Sequence, residues 1–313
     1  MEFVNKPYGQ ALAATGARYP DLVVLDADLQ RATETDLFQA AFPQRYLDVG
    51  IAEANMVGVA AGLALSGKTV FCGTFATFIT QRVADQVMVS VAYCRANVKL
   101  IGVEAGLSSG RNGASHQSVL DLALMRAMPN MTVFVPADAT EVMALIEYLA
   151  SQPGPAYVRV PRGKTPVLLD SATYVFRPGR AVILRPGSDV AILACGTMVP
   201  RALEAADLLA AQGVAARVVN MSSIKPLDAA AVIDAAAETG CIVTAEDHSI
   251  VGGLGGAVCE LLASCRPTPV VRVGIRDQFG EVGDVDWLAA KFVLSSTHIA
   301  QAAVAALALK PSP

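Results

Sequence analysis

The stretch Asp48-Val-Gly-Ile-Ala-Glu-Ala-Asn-Met-Val-Gly-Val-Ala-Ala-Gly-Leu-Ala64 decides how this chain is read. Glu53 stands at the mouth of a predicted helix that carries no other charge for several turns. Burying a lone carboxylate there is costly unless a partner meets it. On this stretch alone two readings stay open: an exposed first-turn glutamate favoured by the helix dipole, or a buried carboxylate kept for chemistry. Past Glu53 the run is small and apolar, and Gly58 and Gly62 would let a partner surface approach closely.

Outward from this helix, short β-branched runs alternate with alanine- and leucine-rich segments, the pattern of an α/β fold. Buried parallel strands are predicted at 21–25, 69–72, 98–103 and 132–135, with helices at 9–18, 53–66, 78–94, 118–126 and 139–151. A break falls at Phe176-Arg-Pro-Gly179. Beyond it the alternation restarts, with strands at 189–194, 215–219, 241–244 and 270–273 and helices at 198–212, 228–239 and 252–264. The chain thus reads as two doubly wound, mostly parallel α/β domains, residues 1–177 and 178–313. Such sheets bind ligands at the carboxyl ends of their strands. A short Lys310-Pro-Ser-Pro313 tail is the one low-complexity segment.

Of the 313 residues 53% are hydrophobic and 17% charged, and the mean hydropathy is +0.46. No apolar run approaches the roughly 20 residues that span a bilayer. The apolar surplus is therefore assigned to buried parallel strands and a subunit interface. A net charge of −4, with scattered Lys and Arg, argues against a nucleic-acid or anionic-membrane surface. Six cysteines with no C-x-x-C and no histidine at ligand spacing read as reduced thiols. Met1-Glu-Phe-Val-Asn5 has neither a basic nor an apolar leader region, so a cytoplasmic location is expected.

Three further motifs carry chemistry. Gly73-Thr-Phe-Ala-Thr-Phe78 places two phenylalanines three apart after a strand, either as core or as the aromatic wall of a ligand site. Gly110-Arg-Asn-Gly-Ala-Ser-His-Gln117 brings His116, one of three histidines, behind a glycine-rich loop. Leu25-Asp-Ala-Asp-Leu29 sets Asp28 at a strand's carboxyl end, as a loop cap or a ligand. With the Glu53 segment, and in this order, these motifs closely resemble the pyrimidine-binding domain of transketolase and its thiamin-diphosphate relatives. The resemblance runs over nearly the whole chain. It covers only the last two of a transketolase's three domains, the pyrimidine-binding domain and a Rossmann-like C-terminal domain.

The resemblance implies roles for individual residues. Glu53 matches the glutamate that bonds the cofactor's pyrimidine N1′ and drives it into the imino form. Phe78 matches the stacking residue and Phe75 its neighbour, while Gln81 falls where transketolases commonly carry tyrosine. Asp28 resembles the aspartate near the thiazolium. His116 is implied as a proton relay or hydroxyl ligand on the ketose donor. Arg162, in Val158-Arg-Val-Pro-Arg-Gly163, matches the arginine that grips a sugar phosphate, with Arg159 as a companion. His248 reads as structural and His298 as incidental.

The pattern departs from the family in the substrate channel. Arg111-Asn112 replaces an acidic pair, leaving Asn112 to bond the donor hydroxyl without charge. An arginine aligns with Asn5 (beside Lys6), a serine with Ala32 and a histidine with Glu104. A carboxylate at Glu104 opposes a phosphate by several kcal/mol when both are desolvated, and Arg31 and Arg111 are candidates to compensate. Substrates other than the standard pentose phosphates are therefore expected.

No Gly-Asp-Gly followed by a metal-ligating Asn occurs, and no metal ligand is assigned to this chain. The resemblance thus implies a separate N-terminal-section transketolase subunit that supplies the diphosphate and Mg²⁺ site, in an α₂β₂ assembly. The activity implied is transfer of a two-carbon ketol unit from a ketose to an aldose, on sugar or sugar-phosphate substrates. Rival readings are the β subunit of a 2-oxo-acid dehydrogenase and a deoxyxylulose-phosphate synthase, the latter echoed by Gln81-Arg82-Val-Ala-Asp-Gln86. A further rival, from another class, is a relative that kept the fold and lost the chemistry.

Overall fold

The computed structural model describes residues 2–310, so the Pro311–Pro313 end of the tail lies outside the described residues. Two large sheets carry the fold. The first has seven strands in the order Ser223–Lys225, Thr132–Phe134, Ala156–Val160, Val98–Val103, Thr69–Phe75, Leu22–Asp26 and Tyr46–Asp48. All of its pairings are parallel except that of Ser223–Lys225, which runs antiparallel to Thr132–Phe134. The second has five strands, Val270–Ile275, Ile242–Ser249, Val190–Ala194, Ala216–Asn220 and Val182–Arg185, with only the last antiparallel. Phe3–Asn5 and Lys164–Pro166 form a separate antiparallel ribbon. The two-sheet α/β architecture read from the alternation is present.

Helices cover both faces of each large sheet, which is why strands such as Leu22–Asp26 and Val190–Ala194 are buried at every position. Each fully buried Val, Leu or Ile in them contributes about 1.5–3 kcal/mol relative to exposure. The register aligns the strand ends that matter: Asp26 pairs with Asp48 and with Gly73, and Phe75 with Val103. One rim therefore collects Asp28, the helix Glu53–Leu65, the Phe75–Phe78 turn and Glu104.

Lys99 is an exception to the apolar core. It sits at 1% exposure in the strand Val98–Val103, donating to the carbonyls of Gln152 at 2.7 Å and Gly154 at 2.6 Å. Burial pushes its ammonium down to about 7. Between that value and the unfolded lysine's ordinary range near 10.4, the unfolded chain holds the extra proton, so stability rises with pH. Relative to Lys99→Met, the wild-type unfolding free energy is expected to climb by about 1.4 kcal/mol per pH unit at its steepest. Urea denaturation of both proteins at intervals from pH 7 to 10 measures this, and parallel curves would contradict it.

The segment expected as one helix, 78–94, is broken. A helix spans Ala76–Thr80, a turn Ala84–Gln86 follows, and Val87–Tyr93 is π-helical. The interruption falls among β-branched residues (Thr77, Ile79, Thr80 and Val83), and Val83 leaves the helical region at φ −123° and ψ 24°. Such interruptions often accompany functional sites.

The two halves are joined by a buried polar network. Arg159 donates from Nε to Asp121 Oδ2 at 2.7 Å and from Nη1 to the carbonyl of Asp247 at 2.8 Å. The Asp247 carboxylate in turn accepts from the amide of Leu107 at 3.1 Å. This corrects the reading of Arg159 as a companion of Arg162: its side chain is 8% exposed and its guanidinium is committed to Asp121. Its neighbour His248 is fully buried and, as read, structural. Its Nε2 accepts from the amide of Ala123 at 3.3 Å, and burial pushes the imidazole down to about 4.

The helix Glu53–Leu65 buries Met56, Val57, Ala60, Ala61 and Ala64 and leaves the opposite face bare. A Cβ built on Gly58 or Gly62 would meet nothing within 4 Å. Nearby, Ile51, Leu65, Met88, Val89 and Tyr93 are exposed, Tyr93 to 81%. No helix among the described residues is long and apolar enough to cross a membrane.

Candidate active site

At the rim, a cavity of about 410 Å³ is lined by Ala27, Asp28, Leu29, Ile51, Glu53, Phe75, Phe78, Arg82, Ser115 and His116. Five residues singled out from sequence, Asp28, Glu53, Phe75, Phe78 and His116, meet in it although they come from four separate segments. Each is held by local structure.

Glu53 opens its helix and is 4% exposed, so its carboxylate is withdrawn from water. Its partner is Arg82, whose Nη1 donates to Glu53 Oε1 at 2.8 Å. The same guanidinium lies over the Phe78 ring, with Cζ 3.9 Å from the centroid. Phe75 closes the strand Thr69–Phe75 and Phe78 sits one helical turn on, their ring centroids 5.9 Å apart. Both rings meet the His116 imidazole edge-on, Phe78 at 5.2 Å and Phe75 at 5.7 Å. The cavity thus has one aromatic wall with a carboxylate at its edge.

His116 is reached through a loop that needs left-handed backbone at Gly110 (φ 51°) and Gly113 (φ 79°), where glycine is the least strained residue. The loop is pinned by Ser109, whose hydroxyl donates to the carbonyl of His116 at 2.7 Å. Ser115 Oγ lies 3.0 Å from His116 Nδ1. Asp28 is exposed, with φ 61°, in a loop organised by its neighbour. That neighbour is Asp26, fully buried, which accepts from the Leu29 amide at 2.6 Å and from Thr35 Oγ1 at 2.8 Å. Burial raises the Asp26 pKa above the ordinary carboxylate value. Sequence reasoning misses Asp26, because only Asp28 matches a family position.

The remaining expected residues lie elsewhere. Gln81 does not line the cavity; its Oε1 accepts from Thr77 Oγ1 at 2.5 Å. Glu104 and Arg162 line a second hollow of about 560 Å³, together with Lys164, Arg201 and Asp286. Glu104 is 9% exposed, in left-handed backbone at φ 51°, and forms an ion pair with Arg162. Asn112 is exposed, and its Nδ2 stands 3.5 Å from Glu104 Oε2. Of the two suggested compensating cations, Arg111 is paired with Asp284 at 2.8 Å, and Arg31 is exposed with no ion pair among the described residues; Lys6, beside Asn5, pairs with Asp36 at 2.7 Å.

Comparison with known proteins bears on this geometry. The model of the transketolase pyrimidine-binding domain matches residues 4–167, and that of the transketolase C-terminal domain matches residues 179–299. The chain is 46% identical over 282 residues to the 6-deoxy-6-sulfo-D-fructose transketolase subunit SqwH of a Clostridium strain, covering 90% of this chain and 87% of that one. It is 40% identical over 275 residues to one of the subunits of the apulose-4-phosphate transketolase of Phocaeicola vulgatus, covering 88% of each. A split-gene transketolase solved as an inactive β4 tetramer superposes with a TM-score of 0.89 at 44% identity, covering 98% of both chains. The transketolase of Campylobacter jejuni, at 22% identity and a TM-score of 0.81, shares the fold over 97% of this chain and 47% of its own length.

Proposed function

This chain belongs to the transketolase family, and from that premise we propose that it is one subunit of a two-chain, thiamin-diphosphate-dependent enzyme moving a two-carbon ketol unit from a ketose to an aldose. The observation that carries the reading is Glu53, a nearly buried carboxylate set at the edge of the Phe75–Phe78 wall.

The residues present fit the pyrimidine half of the cofactor. A flat heterocycle finds a stacking face on Phe78 and an acidic acceptor at Glu53. They do not fit its diphosphate. Among the described residues lining the cavity the single cation is Arg82, already bonded to Glu53. The diphosphate and its Mg²⁺ are therefore assigned to the partner chain. The bare face of Glu53–Leu65, with Gly58, Gly62 and the exposed Met88, Val89 and Tyr93 beside it, is the surface on which an α₂β₂ assembly would close.

When bound, thiamin diphosphate supplies a carbanion equivalent at its thiazolium carbon. Glu53 would hold the proton shared with the pyrimidine N1′, in a pocket where low water content strengthens the bond. Phe75 and Phe78 exclude water and orient the ring. His116, held edge-on by both rings, would move a proton at the donor sugar's hydroxyl. Asp28 is a second carboxylate lining the cavity.

The ion pair of Glu104 with Arg162 bears on the substrate. An arginine already neutralised by a nearly buried carboxylate is a poor seat for a phosphate dianion. Two relatives are named for their sugars, 6-deoxy-6-sulfofructose and apulose 4-phosphate. We expect the assembled enzyme to use xylulose 5-phosphate at least about tenfold less well, in kcat/KM, than a branched, sulfonated or unphosphorylated ketose. Glu104→Gln should narrow that gap. Competition assays reading two-carbon shifts by mass spectrometry test this, and equal turnover of xylulose 5-phosphate and the other ketoses would remove its support.

A further inference from the structure

Arg82 is a charged residue of the cavity to which the chemistry above gives no role, and it touches two of the groups that line it. Its guanidinium is planar, donates to Glu53 at 2.8 Å and lies 3.9 Å from the centroid of Phe78. An aminopyrimidine ring engaging this site would make the same two contacts: a hydrogen bond to the Glu53 carboxylate and a stack on Phe78. Stacked flat groups pack at about 3.5–4.0 Å, so both cannot share one face of the ring. We propose that Arg82 is an internal placeholder for the cofactor's pyrimidine, which must swing out before the ring can enter. The inference rests on the assignment of Glu53 as the ring's partner.

The fold explains how Arg82 arrives there and why it can leave. The helix stops at Thr80, and the Arg82 amide reaches back to the carbonyl of Thr77 at 3.4 Å. This returns the side chain over Phe78, four positions earlier. Residues four apart on a regular helix also share a face and lean toward its N-terminus, so the break keeps this neighbour relation. The Arg82 side chain is 47% exposed, and Glu53 is its sole side-chain hydrogen-bond acceptor among the described residues. Its way out is through solvent and needs no core rearrangement. Glu53, at 4% exposure, has the stronger need: without cofactor or Arg82 it would be a nearly buried, unpaired charge. The placeholder keeps the carboxylate in position and lowers apparent cofactor affinity by the fraction of time it is closed.

Calorimetric titration of the assembled two-chain complex with thiamin diphosphate and Mg²⁺ tests this. Arg82→Ala should bind on the order of tenfold more tightly than wild type, with Arg82→Gln between the two. The cofactor-free melting temperature of both variants should fall, because Glu53 has lost its counter-ion. On a Glu53→Gln background the tightening should largely vanish, as expected for two residues acting as one pair. Should Arg82→Ala not fold, Arg82→Gln carries the comparison. Weaker or unchanged binding in the variants, with normal binding by wild type, overturns the placeholder alone and makes Arg82 a cofactor ligand or a bystander. Failure of the wild-type complex to bind thiamin diphosphate counts against the proposed function and removes this inference with it.

Discussion

Replacing Glu53 with alanine in the assembled complex is expected to lower kcat by about 10²- to 10⁴-fold, the range that a positioned proton-transfer group contributes. The fold should survive, because the side chain lost is a capless first-turn carboxylate whose ion-pair partner, Arg82, is half exposed and can take up water. Glu53→Gln separates two contributions. It keeps the shape and a hydrogen bond to the ring but cannot accept and share the proton in the same way, so it should recover binding before it recovers rate. The direct readout is exchange of the cofactor's acidic thiazolium proton into deuterated solvent, followed by NMR. Undiminished exchange in Glu53→Ala would mean that this carboxylate does not do the work assigned to it.

The second large effect concerns the other chain. Isolated, this subunit is expected to be slower than the assembled enzyme by at least about 10³-fold, since positioning of reactants can account for far more than that and small misplacements cost about 10². The physical reason lies in the cavity's charge. Asp28 and Glu53 face it, and the single lining cation is spent on Glu53, so a diphosphate would enter an acidic opening. The proposed partner, carrying the cations and the Mg²⁺ site, would reverse that balance. Titrating the partner into this chain should raise activity to a plateau at one partner per subunit, with two of each in the final particle by mass. Full turnover by this chain alone would refute the split assignment.

How much of this is legible in the residues depends on whether a motif is local. Glu53, Phe75, Phe78 and His116 each sit inside a short run whose chemistry is visible without the fold, and the structure brings them to one cavity. Arg82 is different. Its place beside Phe78 is the i,i+4 relation any helix gives, but its bond to Glu53 joins positions 29 residues apart and is visible in neither motif. The pairing of Glu104 with Arg162 links positions 58 residues apart and cannot be read from either motif. Among the elements, the strand Ser223–Lys225 is only three residues long and belongs to the sheet of the other half, so no alternation announces it. The helices Val285–Lys291 and Ser296–Ala308 are also absent from the sequence reading, the latter although Ser295 accepts from the amide of His298 as a cap should.

That borrowed strand bears on how the molecule can be taken apart. Ser223–Lys225 finishes the outer margin of a sheet whose other six members all come from before residue 161. A protein engineer who cut at the break in the sequence pattern near residue 178 would strip that margin bare, exposing the free amides and carbonyls of Thr132–Phe134 to any passing extended peptide. Chimeras between members of this family should therefore exchange the two halves with the 223–225 segment travelling alongside the first, or not divide the chain at all.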